Sequence, residues 1–324
     1  MDKNLALDFV RVTEAAALSA ARWVGKGNPK KADEAAVNVM RIAFNALDID
    51  GKIVIGEGER DEAPMLYIGE KVGTGKRNKI DIAVDPLECT NSVAFGRNNA
   101  MSVMAASPYG TMLHAPDTYM EKIAVPPEAK GEVSLEADVR YNLENLSKKL
   151  GKHIKDITVM VLERDRHKEL ISQLRKCDAR ILLIPDGDIS AAIAPSIPES
   201  GIDMLLGIGA APEGVIAAAG ISCLGGYFEG RFKFRDKADE KRAESMGVKK
   251  LHEILKIEDL ISPEYSMFAA TGVTDGPFFR GVVFNRVGAI TQSVVMRAKT
   301  KTVRFLTSHH IFEDEPRYWE AEMR

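Results

Sequence analysis

Cysteine is scarce in this chain: Cys89, Cys177 and Cys223 are three among 324 residues. An odd, sparse set with no CxxC spacing excludes a disulfide framework and a cysteine-built zinc site, and it fits reduced thiols. An excess of one charge is also lacking. Lys and Arg number 44 against 47 Asp and Glu, giving a net charge of −3. No basic field is available for nonspecific nucleic-acid binding, although a site for a small anion needs only a few local cations. Long apolar runs are missing as well. Residues 1–24 carry Asp2, Lys3, Asp8, Arg11, Glu14 and Arg22, so they hold no apolar signal-peptide core. The most apolar stretch, 202–228, contains Asp203 and Glu213 and is broken by glycines. It reads as a buried strand, loop and helix rather than a membrane span. The expectation is a cytoplasmic protein with no nucleic-acid and no membrane partner.

What is present is ordinary globular material, 45% hydrophobic and 28% charged, enough to fill a sizeable core at this length. Leu5, Phe9, Val12, Ala16, Ala20 and Trp23 recur at helical steps and predict an amphipathic helix over 3–23, stopped at 25–29. A second helix is expected over 33–47 with Asp33 as the capping carboxylate at its start. Short strands follow at 53–55 and 80–84, each ending in an acidic loop. Further on, strands at 157–162, 180–184 and 202–206 are each followed by a polar loop and a helix, the pattern of a parallel sheet. Ligands on such sheets gather beyond the carboxyl ends of the strands, where all three polar loops fall. Segment 235–255 mixes both signs of charge and reads as a solvated helical face, and 282–284 and 302–306 read as strands.

The acidic loops carry the first chemistry. Glu57, Glu59 and Asp61 follow one strand, and Asp85 and Glu88 follow the next. Any one of them alone reads as a solvated loop acid. Together they repel one another unless a cation lies among them, and an all-oxygen set suits Mg2+ or Mn2+. Pro86 restrains the loop and can aim Asp85 and Glu88 at one centre. Thr90 is placed either to orient an attacking water or to cap a helix; on spacing alone both fit.

At these residues the chain resembles class II fructose-1,6-bisphosphatases. The resemblance rests on Gly56-Glu57-Gly58-Glu59-x-Asp61-Glu62-Ala63-Pro64-Met65-Leu66-Tyr67-Ile68-Gly69-Glu70 and on Asp85-Pro86-Leu87-Glu88-x-Thr90. It extends to Ala115-Pro116-Asp117-x-Tyr119-Met120, Asp186-Gly187-Asp188, Ala211-Pro212-Glu213-Gly214 and Thr271-Gly272-Val273-Thr274-Asp275-Gly276, and so covers about residues 5 to 310. The resemblance implies an α/β fold, the layered α/β/α/β/α architecture of the lithium-sensitive sugar phosphatases. With it come an N-terminal α+β domain over 1–150 carrying the metal site and a C-terminal α/β domain over 151–324 completing the sugar-phosphate site. It implies Mn2+ or Mg2+ as cofactor, a sugar bisphosphate as small-molecule partner, and a homodimer or homotetramer.

The same resemblance implies residue roles. Asp33 and Glu57 would hold one metal, and Asp85, Glu88 and Glu213 would hold or share a second; Asp33 can instead orient the threonine. Asp61 and Thr90 would help activate the attacking water. Glu88, Cys89, Thr90, Tyr119, Arg164, Asp165, Arg166, Asp186, Gly187, Asp188 and Ala210 would contact the substrate. Arg164 and Arg166 can fork onto a distant phosphate, Asp186 and Asp188 can accept sugar hydroxyls, and Glu213 opens a helix. Taken singly, the two arginines read as surface charges, Tyr119 as packing and the Asp186–Asp188 loop as a turn. His167 reads as a helix-start residue rather than a general base.

Three departures from the family pattern stand out. Cys89 occupies a position that is usually glycine in the Glu-Gly-Thr step. Ala210 stands where a second glycine is usual, and Arg164-Asp165-Arg166 stands where Lys-Pro-Arg is common. A side chain at 89 or 210 would narrow the phosphate pocket or shift a loop that needs positive φ. The expected reaction is hydrolysis of the 1-phosphate of fructose 1,6-bisphosphate in gluconeogenesis. Alternatives are sedoheptulose 1,7-bisphosphate, alone or as a second substrate, an inositol-monophosphatase-like activity, and a sugar-phosphate-binding protein that has lost catalysis.

Overall fold

Residues 25–29 both end one helix and begin the next. In the computed structural model, which describes residues 5–58, 65–77, 79–276 and 278–312, α1 (Leu5–Ala21) is followed by α2 (Pro29–Asn45). The Asn28 side chain caps α2 by accepting the Lys31 N–H at 3.0 Å, and Pro29 takes the first helical position, where no N–H is needed. Asp33 is therefore not the cap expected from the sequence but the fifth helical residue, a turn inside α2. The expected amphipathic α1 is buried almost all round, with only Leu7, Asp8 and Arg11 outside the buried set. One side meets α2 and the other meets a sheet, as a helix apolar on every face requires.

The chain then forms β1 (Asp50–Ile55), β2 (Lys71–Val72), β3 (Lys79–Glu88), the short α3 (Thr90–Ala94) and β4 (Met101–Pro108). Next come β5 (Tyr119–Val125), α4 (Val139–Leu150), β6 (Thr158–Leu162), α5 (Lys168–Lys176), β7 (Arg180–Ile184), α6 (Asp188–Ile193), β8 (Met204–Ala210) and α7 (Ala211–Leu224). The run continues with β9 (Tyr227–Lys233), α8 (Lys237–Ser245), β10 (Leu255–Lys256) and α9 (Ile257–Leu260). It closes with β11 (Met267–Gly272), β12 (Val283–Phe284), β13 (Gly288–Arg297) and β14 (Thr302–Ile311). The charged segment after 235 is helical only through Ser245, half the length expected.

Two compact units result: Met1–Met112 with Tyr265–Arg324, and Leu113–Glu264. Residue 150, where the sequence reading divided the chain, ends α4 within the second unit. The first unit holds an eight-stranded sheet in the order β12-β13-β11-β4-β3-β1-β2, with β14 on β13. Its core joins Phe9, Val12 and Ala16 of α1, Met40 and Phe44 of α2, and Ile53, Ile80 and Ile82 of the strands. The second unit holds a six-stranded sheet in the order β10-β9-β5-β8-β6-β7. Here β6, β7 and β8 are parallel, as the strand–loop–helix repeats predict. β5 runs antiparallel to β8 and β9, so the sheet is mixed. Ile123 and Val125 of β5 enter a core with Leu143 and Leu146 of α4 and Ile171 and Leu174 of α5. The fold is α/β, with two mixed sheets.

Candidate active site

In the first unit, two acids act on a third. Asp33 comes from α2, Glu57 follows β1 and Asp85 belongs to β3. Burial, with the Asp33 and Asp85 carboxylates adding to it, pushes the Glu57 carboxyl up to about 8. Burial also raises Asp33, with Glu34 adding to it. Among the described residues no three His, Cys, Asp or Glu side chains converge at the spacing of a coordination sphere. Coulomb repulsion reaches beyond ligand distance, so both observations hold. The donor set is all oxygen and suits a hard divalent cation, whose charge would cancel the upward push on Glu57. Asp61, with Glu59 and Glu62, lies outside the described residues.

The Asp85–Glu88 segment is shaped by an interruption of the sheet. The pairing of β3 with β4 slips between Asp85 and Glu88, where Pro86 has no N–H to offer the ladder. Asp85 Oδ1 accepts the Leu87 N–H at 3.1 Å, and Thr90 Oγ1 donates to the Leu87 carbonyl at 3.0 Å. Glu88 is buried. Thr90 is the first residue of α3 rather than its cap; that position belongs to Cys89, which sits in the left-handed region at φ 65°, ψ 46°. The expectation that position 89 needs positive φ is met, and a cysteine meets it. Position 210 is different. Ala210 is extended at φ −72°, ψ 143°, so glycine's freedom is not required there.

In the second unit, the loops at the carboxyl ends of β6, β7 and β8 converge. Arg164 Nη1 donates to the Pro185 carbonyl at 2.5 Å, and its Nη2 lies 3.8 Å from Asp186 Oδ1. Arg166 donates twice to the Ile208 carbonyl, at 3.1 and 2.8 Å, and its guanidinium stands 4.7 Å from the centre of the Tyr119 ring. Tyr119 in turn pairs with Ala210 across β5 and β8. Gly187, at φ 94°, turns the chain between Asp186 and α6. Thus Tyr119, Arg164, Arg166, Asp186, Gly187 and Ala210 come together around one rim. Asp165 does not join them; it points to solvent and pairs with Lys168 at 2.9 Å. Glu213 is the third residue of α7, in its first turn.

Asp188 is 4% exposed. Its Oδ2 lies 2.5 Å from the Nζ of Lys122, which is 2% exposed. Asp186, by contrast, is open to solvent, its side chain 43% exposed. Sequence reasoning passed over Lys122, yet a signal existed. Strand alternation puts it on one face of β5 with Met120 and Ala124, both buried. A lysine at an inward position of an apolar strand needs a buried partner.

His167 is spent structurally. A carbonyl can only accept, so Nδ1 carries the proton it gives to Leu162 at 2.6 Å; an amide can only donate, so Nε2 accepts from Ile208 N–H at 2.8 Å. The neutral ring is thereby held, and burial, together with Arg166 and Arg164, keeps its pKa below the ordinary value. This ring serves as a clamp from β6 to β8 and is not a general base.

The family model described as bacterial fructose-1,6-bisphosphatase, glpX-encoded, matches residues 3–310. A Synechococcus (strain JA-3-3Ab) protein named D-fructose 1,6-bisphosphatase class 2/sedoheptulose 1,7-bisphosphatase is 45% identical, with 96% of each chain covered. The Haemophilus influenzae fructose-1,6-bisphosphatase class 2 is 44% identical over 97% of this chain and 98% of its own. The Escherichia coli fructose-1,6-bisphosphatase 1 class 2 is 43% identical over 97% of both. A match of this length joins the coupled acids of the first unit and the basic rim of the second to one lineage, and the chain belongs to the class 2, glpX-type fructose-1,6-bisphosphatase family.

Proposed function

We propose that the protein hydrolyses the 1-phosphate of fructose 1,6-bisphosphate, giving fructose 6-phosphate and phosphate, as a cytoplasmic step of gluconeogenesis. The observation that carries this reading is the family match over residues 3–310, and the coupling of Glu57 to Asp33 and Asp85 supports the metal site it requires. The residues assigned to divalent metal are Asp33, Glu57, Asp85 and Glu88 in the first unit and Glu213 in the second. When bound, Mn2+ or Mg2+ would neutralise phosphate charge and make water more acidic.

The chain's own groups do the rest. Thr90 spends its single hydroxyl proton on the Leu87 carbonyl. Its oxygen is left as an acceptor, able to hold an attacking water by one hydrogen and fix its direction. Asp61 is assigned the water's proton. Arg164 and Arg166 are assigned the phosphate that is not cleaved, with Tyr119 stacked on Arg166 limiting its rotamers. Asp186 is assigned a sugar hydroxyl, and Gly187, Ala210 and the backbone at Cys89 are assigned substrate contacts. Asp165 is more remote, since it faces solvent. A homodimer or homotetramer is the proposed assembly.

A second reading adds sedoheptulose 1,7-bisphosphate, which the Synechococcus relative carries in its name. Phosphate release from both bisphosphates, and from inositol and sugar monophosphates, with Mn2+, Mg2+ or chelator, tests both readings. Metal-dependent release from fructose 1,6-bisphosphate is expected. Release from the heptulose bisphosphate alone would leave only the second reading, and release from neither would overturn the enzyme assignment.

A further inference from the structure

Glu70 closes the longest motif of the sequence but takes no part in the candidate site. Its side chain is 8% exposed, and its two oxygens have different partners. One pairs with Nε of Arg41, which lies on α2 about two turns beyond Asp33. The other accepts the Leu66 N–H. Leu66 is wholly buried and holds a left-handed backbone at φ 53°. A bulky residue in that region is strained and stays there only where its surroundings fix it. The Glu70 carboxylate is one such restraint, because it receives the N–H of the strained residue itself.

The carbonyl of Leu66 reaches the acid cluster, where it accepts the Glu57 N–H at 3.1 Å. The Ile68 N–H donates to the Gly58 carbonyl at 2.9 Å, and the Ile53 N–H donates to the Glu70 carbonyl at 2.9 Å. Residues 66–70 thus run back along 53–58 and bond the chain at Glu57 and at Gly58. The approach is close: an added Cβ at Gly56 would stand 2.0 Å from the Leu66 carbonyl oxygen. Contacts therefore run from Arg41 to Glu70 to Leu66 to Glu57, all within the first unit. Helix α2 carries Asp33 itself and restrains Glu57 through this chain. A buried ion pair is a poor source of stability, since each charge loses its water. What this one supplies is a fixed acceptor for the Leu66 N–H.

We propose that Glu70 is a positioning residue for the metal site: anchored by Arg41, it fixes the Leu66 turn, and the Leu66 carbonyl fixes the Glu57 backbone. This rests on the reading of Glu57 as a metal ligand. A ligand whose backbone is already in place loses less freedom when a cation binds. Removing a group that orients a metal ligand weakens metal affinity by about 10–100-fold.

Mn2+ binding to the full chain without substrate, followed by titration calorimetry, tests this role. The variants are Glu57→Gln, Glu70→Leu, Arg41→Met, Arg41→Lys and Arg41→Met/Glu70→Leu. Glu57→Gln, Glu70→Leu and Arg41→Met are each expected to weaken binding about tenfold or more. Arg41→Lys returns a cation to Glu70 and should keep near wild-type affinity. The double variant buries no unpaired charge, so it should fold, by circular dichroism, and keep the weakened affinity. It decides the matter if a single variant does not fold. A role in the fold alone would lower the melting temperature in chelator and leave Mn2+ affinity unchanged. That outcome in a folded Glu70 variant, with Glu57→Gln impaired, overturns the positioning role alone. Equal losses in Arg41→Lys and Arg41→Met overturn the part given to Arg41. Wild-type affinity in Glu57→Gln overturns the ligand reading and the proposal with it. A double variant that cannot fold makes the pair a folding requirement and also overturns the positioning role.

Discussion

Gly209 lies so close to Asp188 that no side chain fits between them. An added Cβ would sit 1.7 Å from a carboxylate oxygen already clamped by Lys122. Neither partner can swing away, because both are enclosed. Gly209→Ala should therefore destabilise the protein by about 1–3 kcal/mol, the usual range for overpacking. Urea unfolding measures it. A change below about 0.5 kcal/mol, the scale of surface substitutions, would mean that the clearance is not needed.

Cys89 offers a comparison between two small residues. Its backbone is left-handed, and the side chain is buried in the core of the first unit. Alanine there loses the sulfur and keeps the backbone strain. Glycine loses the sulfur and relieves it. Cys89→Gly should be more stable than Cys89→Ala by about 1 kcal/mol, although glycine is the more flexible residue when unfolded. It should also hold or improve the rate of phosphate release. Greater stability for the alanine variant would contradict the argument, and a large loss of rate in the glycine variant would make the thiol an adaptation.

Glu57→Gln separates charge from shape. Burial and the two neighbouring acids disfavour the Glu57 charge, so an amide of the same size should leave the melting temperature in chelator unchanged or raised. Turnover with saturating Mn2+ should fall by about 100-fold or more, corresponding to ~2.7 kcal/mol in the barrier. The rise in melting temperature that Mn2+ gives the wild type should shrink as well. Retention of both would move the metal site elsewhere.

The His167 clamp predicts a pH effect of definite sign. The folded chain prefers the neutral ring, so its folded pKa lies below the ordinary 6.5. Stability from the clamp is then present above about 6.5 and is lost progressively as pH falls below it toward the lower folded value. His167→Gln should cost about 1–2 kcal/mol at pH 7.5, and the deficit should narrow at about pH 5.5, where protonation of the ring favours the unfolded wild type. Equal deficits in urea midpoints at both pH values would count against the clamp.

The parallel strands of the second unit were legible, because apolar runs alternate with polar loops at 157–206 and local pattern suffices. The antiparallel β5 and the return of β11, β13 and β14 to the first sheet were not, since such pairings join residues far apart in sequence. The register of β5 against β8 that sets Tyr119 beside Ala210 is equally non-local. Asp33 was misplaced by one turn, because Asn28 and Pro29 were read as the end of α1 when they also begin α2. The acidic cluster was visible as composition, but the coupling of Glu57 to Asp33 needed the helix and strands brought together. Lys122 was hidden among the apolar residues of its strand, and only burial shows that Asp188, and not solvent, receives its charge.

The division of the first unit across the chain has a consequence for synthesis on the ribosome. The second unit is continuous and is complete once residue 264 has emerged, so it can fold while translation proceeds. The first sheet cannot. Its β4 is left with a bare edge until β11, encoded more than 150 residues later, arrives to sit between β4 and β13. Nascent chains halted before residue 267 should thus carry a finished second unit and an unfinished first sheet whose exposed backbone invites pairing with other chains.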